Sequence, residues 1–268
     1  MLAKQIVISV AGVLLIILLY NLPKYVVEND EEETAGQIMQ SSEEQPSAAH
    51  ELPENFNNDL SFWKSELSTD KSENYFIFAD SLVSTYLNLG FIDSAAWVAE
   101  QALNKGDEGK AFAGDAYYKA FSFAPDVEKA NEFAEKAREI LGEVLDENPE
   151  NLDAKTKIAM TYVSSSNPMR GILMLREVVE EDADNREAIY NLGILSMQSG
   201  QYDKAVERFE KLVSLDETDV QANFYLGLSY LEVGDKEKAK KALERVKELD
   251  DDPTVQTTVD GYLKEIDI

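Results

Sequence analysis

The sequence predicts an all-α chain: a solenoid of stacked helix pairs, preceded by one membrane-spanning helix and an acidic tether. Three observations carry that expectation. From residue 152 onward the apolar and small positions recur every 34 residues. Residues 6–22 form an apolar run broken only by Ser9, Gly12 and two residues near its end. Between Lys24 and Lys64 there is no basic side chain at all. The 268 residues include 52 Asp+Glu against 25 Lys+Arg, a net charge of −27. That balance excludes a nucleic-acid binder, since each phosphate contact needs a cation. It also argues against a helix lying on an anionic membrane surface. The chain has no cysteine, which excludes disulfides, thiolate metal sites and thiol catalysis. His50 is the single histidine, too few for an imidazole metal cage or for most nucleophile–histidine machinery.

The first element is an anchor over residues 1–27. Its core reads IVISVAGVLLIILLYNL, about seventeen residues, at the short end of what spans a ~30 Å hydrocarbon layer. Tyr20 and Tyr25 sit where an aromatic belt lies, and Lys24 reaches the headgroups. No small-x-small pair follows the run, so an uncleaved signal anchor is expected in place of a removed signal peptide. With the amino terminus and Lys4 on the cytoplasmic side, the rest of the chain lies across the membrane. Residues 28–57 begin ENDEEE and continue with Ser, Pro and acidic residues, the composition of a disordered linker. His50 falls within it without a second ligand. Residues 58–268 form the solenoid, with about five helix pairs and a capping helix at each end. Phe62, Trp63 and Leu67 mark the first cap, over about 58–68.

The period is read from aligned positions. Ile158, Leu192 and Leu226 coincide, as do Ala159, Gly193 and Gly227, then Ser166, Gly200 and Gly234. Gly171, Ala205 and Ala239 follow, then Leu175, Phe209 and Leu243, and last Val178, Leu212 and Val246. Each copy holds two apolar stripes at helical spacing around a polar turn. In the 186 copy, Asp184-Asn185 supply cap oxygens, Ser199-Gly200-Gln201 break the helix, and Tyr202–Leu215 form the second helix. Upstream, Tyr86, Gly90, Asp93, Ala95, Ala99 and Ala102 outline another pair over 73–106. A longer unit then runs from Lys110 to Asn151, pairing 111–123 with an extended helix that starts at Pro125. Thr254–Ile268 is the closing helix.

This pattern resembles the tetratricopeptide repeat, or TPR, over about residues 72–268. Leu192-Gly193, Gly200, Tyr202, Ala205 and Phe209 stand where that family has them, as do Leu226-Gly227, Tyr230, Gly234, Ala239 and Leu243. The copy at 152–185 departs through Ser166, Gly171 and Pro168. The resemblance implies that the first helices line a partner-binding groove. Its positions here are Asp153, Thr156, Met160, Val163 and Ser164; Glu187, Tyr190, Ile194, Met197 and Gln198; Gln221, Phe224, Leu228, Leu231 and Glu232. The expected groove is apolar and aromatic at its centre with acids on one rim. It suits a protein segment that is neutral, basic or apolar. The bland alternative is that Ile194, Met197, Leu228 and Leu231 pack between repeats. Lys155 and Lys157 are the cations nearest to it.

Enzyme readings find no support. Gly106, Gly109 and Gly114 lack the G-x-x-x-x-G-K-[ST] order, Asp250-Asp251-Asp252 lacks the glycine of a calcium loop, and no G-x-S-x-G occurs. No cofactor, metal or small-molecule substrate is expected. The layout of anchor, tether and repeats is similar to TPR ancillary subunits of the bacterial Sec translocon. It implies a single-pass inner-membrane scaffold with its C-terminal domain in the periplasm, serving a membrane complex or translocated unfolded clients. An organelle-surface receptor for amphipathic basic helices is the alternative, and a purely structural subunit of a large membrane assembly a third.

Overall fold

A computed structural model describes residues 74–266 together with Ser65 and Leu67. The anchor over 1–27, the linker over 28–57 and most of the cap at 58–68 lie outside the described residues. Leu67 is helical and buried in the first core. Among the described residues there are eleven α-helices and no strand. None of these helices is long and apolar enough to cross a membrane.

The helices run as α1 (Tyr75–Asn88), α2 (Ile92–Ala102), α3 (Gly106–Phe123), α4 (Val127–Glu147), α5 (Leu152–Val163), α6 (Pro168–Glu181), α7 (Arg186–Gln198), α8 (Tyr202–Leu215), α9 (Val220–Glu232), α10 (Lys236–Leu249) and α11 (Pro253–Ile266). A 3₁₀ turn, Leu103–Lys105, joins α2 to α3. Each odd-numbered helix up to α9 packs on the helix that follows it, making five pairs, and α11 lies on α10. The first helices also stand side by side: α1 against α3, α3 against α5, and α5 against α7.

Local chemistry explains the register from 152 onward. Asn151, Asn185 and Asp219 stand 34 residues apart and accept hydrogen bonds from the N–H groups of Ala154, Ala188 and Ala222, at 3.0, 3.0 and 2.9 Å. These satisfy donors that the first turn leaves without partners. Gly200 and Gly234 end α7 and α9 at φ +69° and +85°. There Gln201 N–H reaches Ser196 O and Asp235 N–H reaches Tyr230 O, closing the helix ends through a left-handed residue. Ser166 makes no such exit; Asn167 N–H bonds to Ser165 Oγ and Pro168 opens α6.

The pairs close tightly because small residues sit where helices cross. A Cβ on Gly193 would meet Phe209 Cζ at 2.8 Å, and one on Gly227 would meet Leu243 Cγ at 2.7 Å. At Gly171, which replaces the alanine of the other copies, the obstacle is backbone: Ala159 O would lie 2.3 Å away. Three boundaries differ from the sequence reading. Helix α3 starts at Gly106, five residues before the expected Ala111. Pro125 precedes α4 without belonging to it, since Asp126 is extended and its side chain accepts from Lys129 N–H. Asp184 does not cap α7; Asn185 does, and Asp184 pairs with Lys211 at 2.5 Å.

Candidate functional site

The thirteen groove positions, together with Ser164 and Glu232, fall into three groups. Asp153, Glu187, Gln198, Gln221 and Glu232 are exposed. Val163, Ser164, Tyr190, Met197, Phe224 and Leu231 are half-buried. Thr156, Met160, Ile194 and Leu228 are buried, which corrects their placement on an open surface. The reason is the close approach of neighbouring pairs. Met160 joins the cluster of Ala188 and Leu192, and Ile194 joins that of Ala222 and Leu226, so each fills the seam toward the next unit. Thr156 is fully enclosed and its Oγ1 has no hydrogen-bond partner.

The aromatic members are partly spent on internal contacts. Tyr190 lies edge-on to Phe209 and to Tyr225, at 6.1 and 5.7 Å between ring centres. Burial, with Tyr225 beside it, pushes the Tyr190 phenol well above its usual range. Phe224 meets Tyr262 of α11 at 6.0 Å, and Leu231 packs into the same cluster with Val255, Val259 and Leu263. The closing helix therefore shields the end of the row.

What the first helices leave open is an acidic ledge across α1, α3, α5 and α7. Lys119 binds Asp80 at 2.8 Å and Asp115 at 2.9 Å. Lys157 binds Asp115 at 2.5 Å and Asp153 at 2.8 Å. Burial alone would raise the Asp115 carboxyl; the hydrogen bonds from Lys157 and Lys119 more than offset it and hold it below the usual range. Glu187 ends the series and no cation lies within ion-pair distance of it among the described residues. Desolvation and then the Asp153 charge raise its carboxyl, with Lys157 opposing. Tyr118 lies beneath, its phenol raised by burial and by Glu187, Asp115 and Asp153 in turn. Lys155 points away and is held by Glu177 and Glu181 of α6. Both lysines near the groove are thus already neutralised by acids of the chain itself, and the ledge has a carboxylate to spare.

Asp80, Asp115, Tyr118 and Lys119 were not among the sequence candidates. They lie on α1 and α3, where the 34-residue register fails, so alignment with Asp153 or Glu187 does not reach them. The signal present was the Asp115/Lys119 pair at helical i,i+4 spacing. No group of acids in metal-holding geometry occurs among the described residues. At the Asp250-Asp251-Asp252 turn, Asp252 Oδ1 accepts from Thr254 N–H at 2.8 Å and caps α11. His50 lies outside the described residues.

A family model described as the tetratricopeptide repeat matches residues 196–259. That segment carries TPR sequence, and the all-helical paired architecture extends it on both sides. No curated protein matches the chain. Solved structures similar to it include two of MamA. One has 18% identity, covers 66% of this chain and 93% of its own, with a TM-score of 0.46. The other has 19% identity, coverage of 63% and 94%, and a TM-score of 0.47. A third, MamA from Desulfovibrio magneticus RS-1, has 16% identity, coverage of 56% and 95%, and a TM-score of 0.41. At that distance the likeness carries no functional argument.

Proposed function

We propose that this chain is a membrane-anchored protein-interaction scaffold whose first helices hold a basic, amphipathic segment of a partner. The observation that carries the reading is the ledge of Asp80, Asp115, Asp153 and Glu187, which binds two lysines and leaves Glu187 without one. A lysine or arginine of the partner completes that series, and Val163, Tyr190 and Met197 offer half-buried apolar surface beside it. The acidic chain steers such a partner in from solution. The apolar run over 6–22 supports tethering at a bacterial inner membrane with the repeats on the periplasmic side, as an accessory to a membrane complex or to translocated clients. Catalysis, cofactors and nucleic acid have no part in this reading.

The test is calorimetric titration of the full chain in detergent with a model amphipathic helix of leucine and lysine. Glu187→Lys should weaken binding about tenfold, as expected for losing one charge-assisted contact. Binding unchanged by that reversal would overturn the assignment of the ledge. Glu237→Cys supplies an exposed single thiol in a chain with none. Its labelling by an impermeant maleimide in intact cells is expected if the repeats lie outside the cytoplasm; protection until lysis would overturn the topology.

A further inference from the structure

The three units in register differ at one internal position. Tyr162, Ser196 and Tyr230 stand 34 residues apart on α5, α7 and α9. In the outer two units a phenol ring lies beneath a basic side chain from the helix that follows. Arg170 sits 4.1 Å over Tyr162, and Lys238 sits 5.0 Å over Tyr230. Tyr230 also donates to Glu210 of the preceding unit. In the middle unit the matching cation is Lys204, but the ring is missing: Ser196 stands in its place.

The space that the ring would fill is open. A hollow of about 350 Å³ lies between α6, α7 and α8, lined by Met169, Ile172, Leu192, Leu195, Ser196 and Arg208, with Arg176 at its side. A second hollow of about 510 Å³ adjoins it through Arg176, Leu192 and Arg208, and includes Lys204. This face of α7 lies roughly half a turn from Tyr190, Ile194 and Met197. Its charge is the reverse of the ledge. The position that holds Glu210 at the next junction holds Arg176 here. Arg208 bonds only to neutral oxygens, Ser196 Oγ and, at 3.3 Å, Leu192 O. Burial and the neighbouring Arg176 charge make its guanidinium easier to deprotonate than usual, as two like charges without a shared anion require. In a chain of 52 acids, no carboxylate is among the residues lining the inner hollow; Glu180 and Glu207 line only the outer one.

We infer that this hollow is a second docking site, for a peptide segment presenting an aromatic side chain next to a carboxylate. The ring takes the place of the tyrosine that Ser196 lacks, on Leu192, Leu195 and Ile172, and the carboxylate is met by Arg176 and Arg208. The size is that of pockets that enclose a small ligand, ~300–1,000 Å³. The net charge of the chain does not forbid an acidic guest, because charges beyond a Debye length of ~8 Å are screened at physiological salt. The site stands apart from the ledge and does not depend on the function proposed above.

Calorimetric titration of the full chain in detergent with the capped peptide Gly-Asp-Tyr-Glu-Gly tests it. Two control peptides replace the acids by their amides, or the tyrosine by alanine. Saturable binding of the first, weakened about tenfold in each control and about tenfold by Arg176→Gln, is expected from the loss of one charged contact or one buried ring. Ser196→Tyr should abolish binding and raise the melting temperature, since the chain then fills its own hollow as Tyr162 and Tyr230 do. Absence of saturable binding overturns the inference, as does equal uptake of the amide peptide. A Ser196→Tyr chain that binds undiminished, or melts lower than the parent, overturns it too. Loss of peptide uptake as the protein is concentrated would assign the site to a second copy of this chain and overturn the peptide assignment.

Discussion

The two ends of the array are held together in different ways. Between α1 and α5 there is one merged core, in which alanines from α2, α3 and α4 let long helices approach closely along their whole length. From α5 to α11 the core divides into three smaller clusters, each centred where a small residue receives a large one, as Gly193 receives Phe209 and Gly227 receives Leu243. The first arrangement tolerates a unit of irregular length, since alanine seams slide without losing a specific contact. The second enforces the period, since a shift of one residue sets a side chain against every glycine.

The largest expected effect tests whether those clusters behave as separate units. Phe209→Ala removes a fully buried ring that also stacks on Tyr225. It should cost about 3–5 kcal/mol. Hydrogen exchange should show protection lost in α7–α10 and kept in α1–α4, as expected where units touch only their neighbours. Uniform loss along the chain would show that the two regions are one cooperative block.

The next contrast sets two glycines against each other. Gly171→Ala drives a methyl into the Ala159 carbonyl, which cannot move without its helix, whereas Gly193→Ala meets a ring edge. Thermal melts should rank the first above the second, both within or somewhat above ~1–3 kcal/mol. Equal losses would mean that the backbone at Ala159 yields as readily as a side chain.

The smallest effect concerns the ledge that joins the two regions. The Glu187 carboxyl is raised above its ordinary value of 4.5 by burial and by Asp153. Its neutral form therefore stabilises the fold below that pH, and the contribution is lost as pH rises through the folded value. Asp115 is lowered, so its contribution is present above the ordinary aspartate value and is lost as pH falls through the folded one. Melts of Glu187→Gln should lose the decline that starts above pH 4.5 and keep the acid loss due to Asp115. A pH profile identical to the parent would remove Glu187 from the network.

Much of the regular half was legible in advance. A 34-residue period fixes axial position, and with it the bounds of α8, the asparagine cap of α7 and the proline start of α6. Periodicity does not report what stands opposite. Met160, Ile194 and Leu228 carry the spacing of a groove, yet the next helix pair covers them. Phe224 is read as open until α11 lays Tyr262 across it. In the irregular half the register itself is missing, so Asp115 and Tyr118 are invisible to alignment and emerge only when α3 is set beside α5. The hollow at Ser196 was present in the sequence as a departure from the tyrosine at 162 and 230. It carries meaning only once the cations around that position are seen in space.

The caps at Asn151, Asn185 and Asp219 have a consequence for how such an array changes in length. Every unit brings its own start signal inside its own stretch of chain, and the glycine exits of α7 and α9 bring a stop. An in-frame duplication of one unit therefore needs no new boundary to be invented, and its two ends already match the neighbours on either side. Growth by copying should be tolerated between α5 and α10, and resisted between α1 and α4, where no unit is complete in itself.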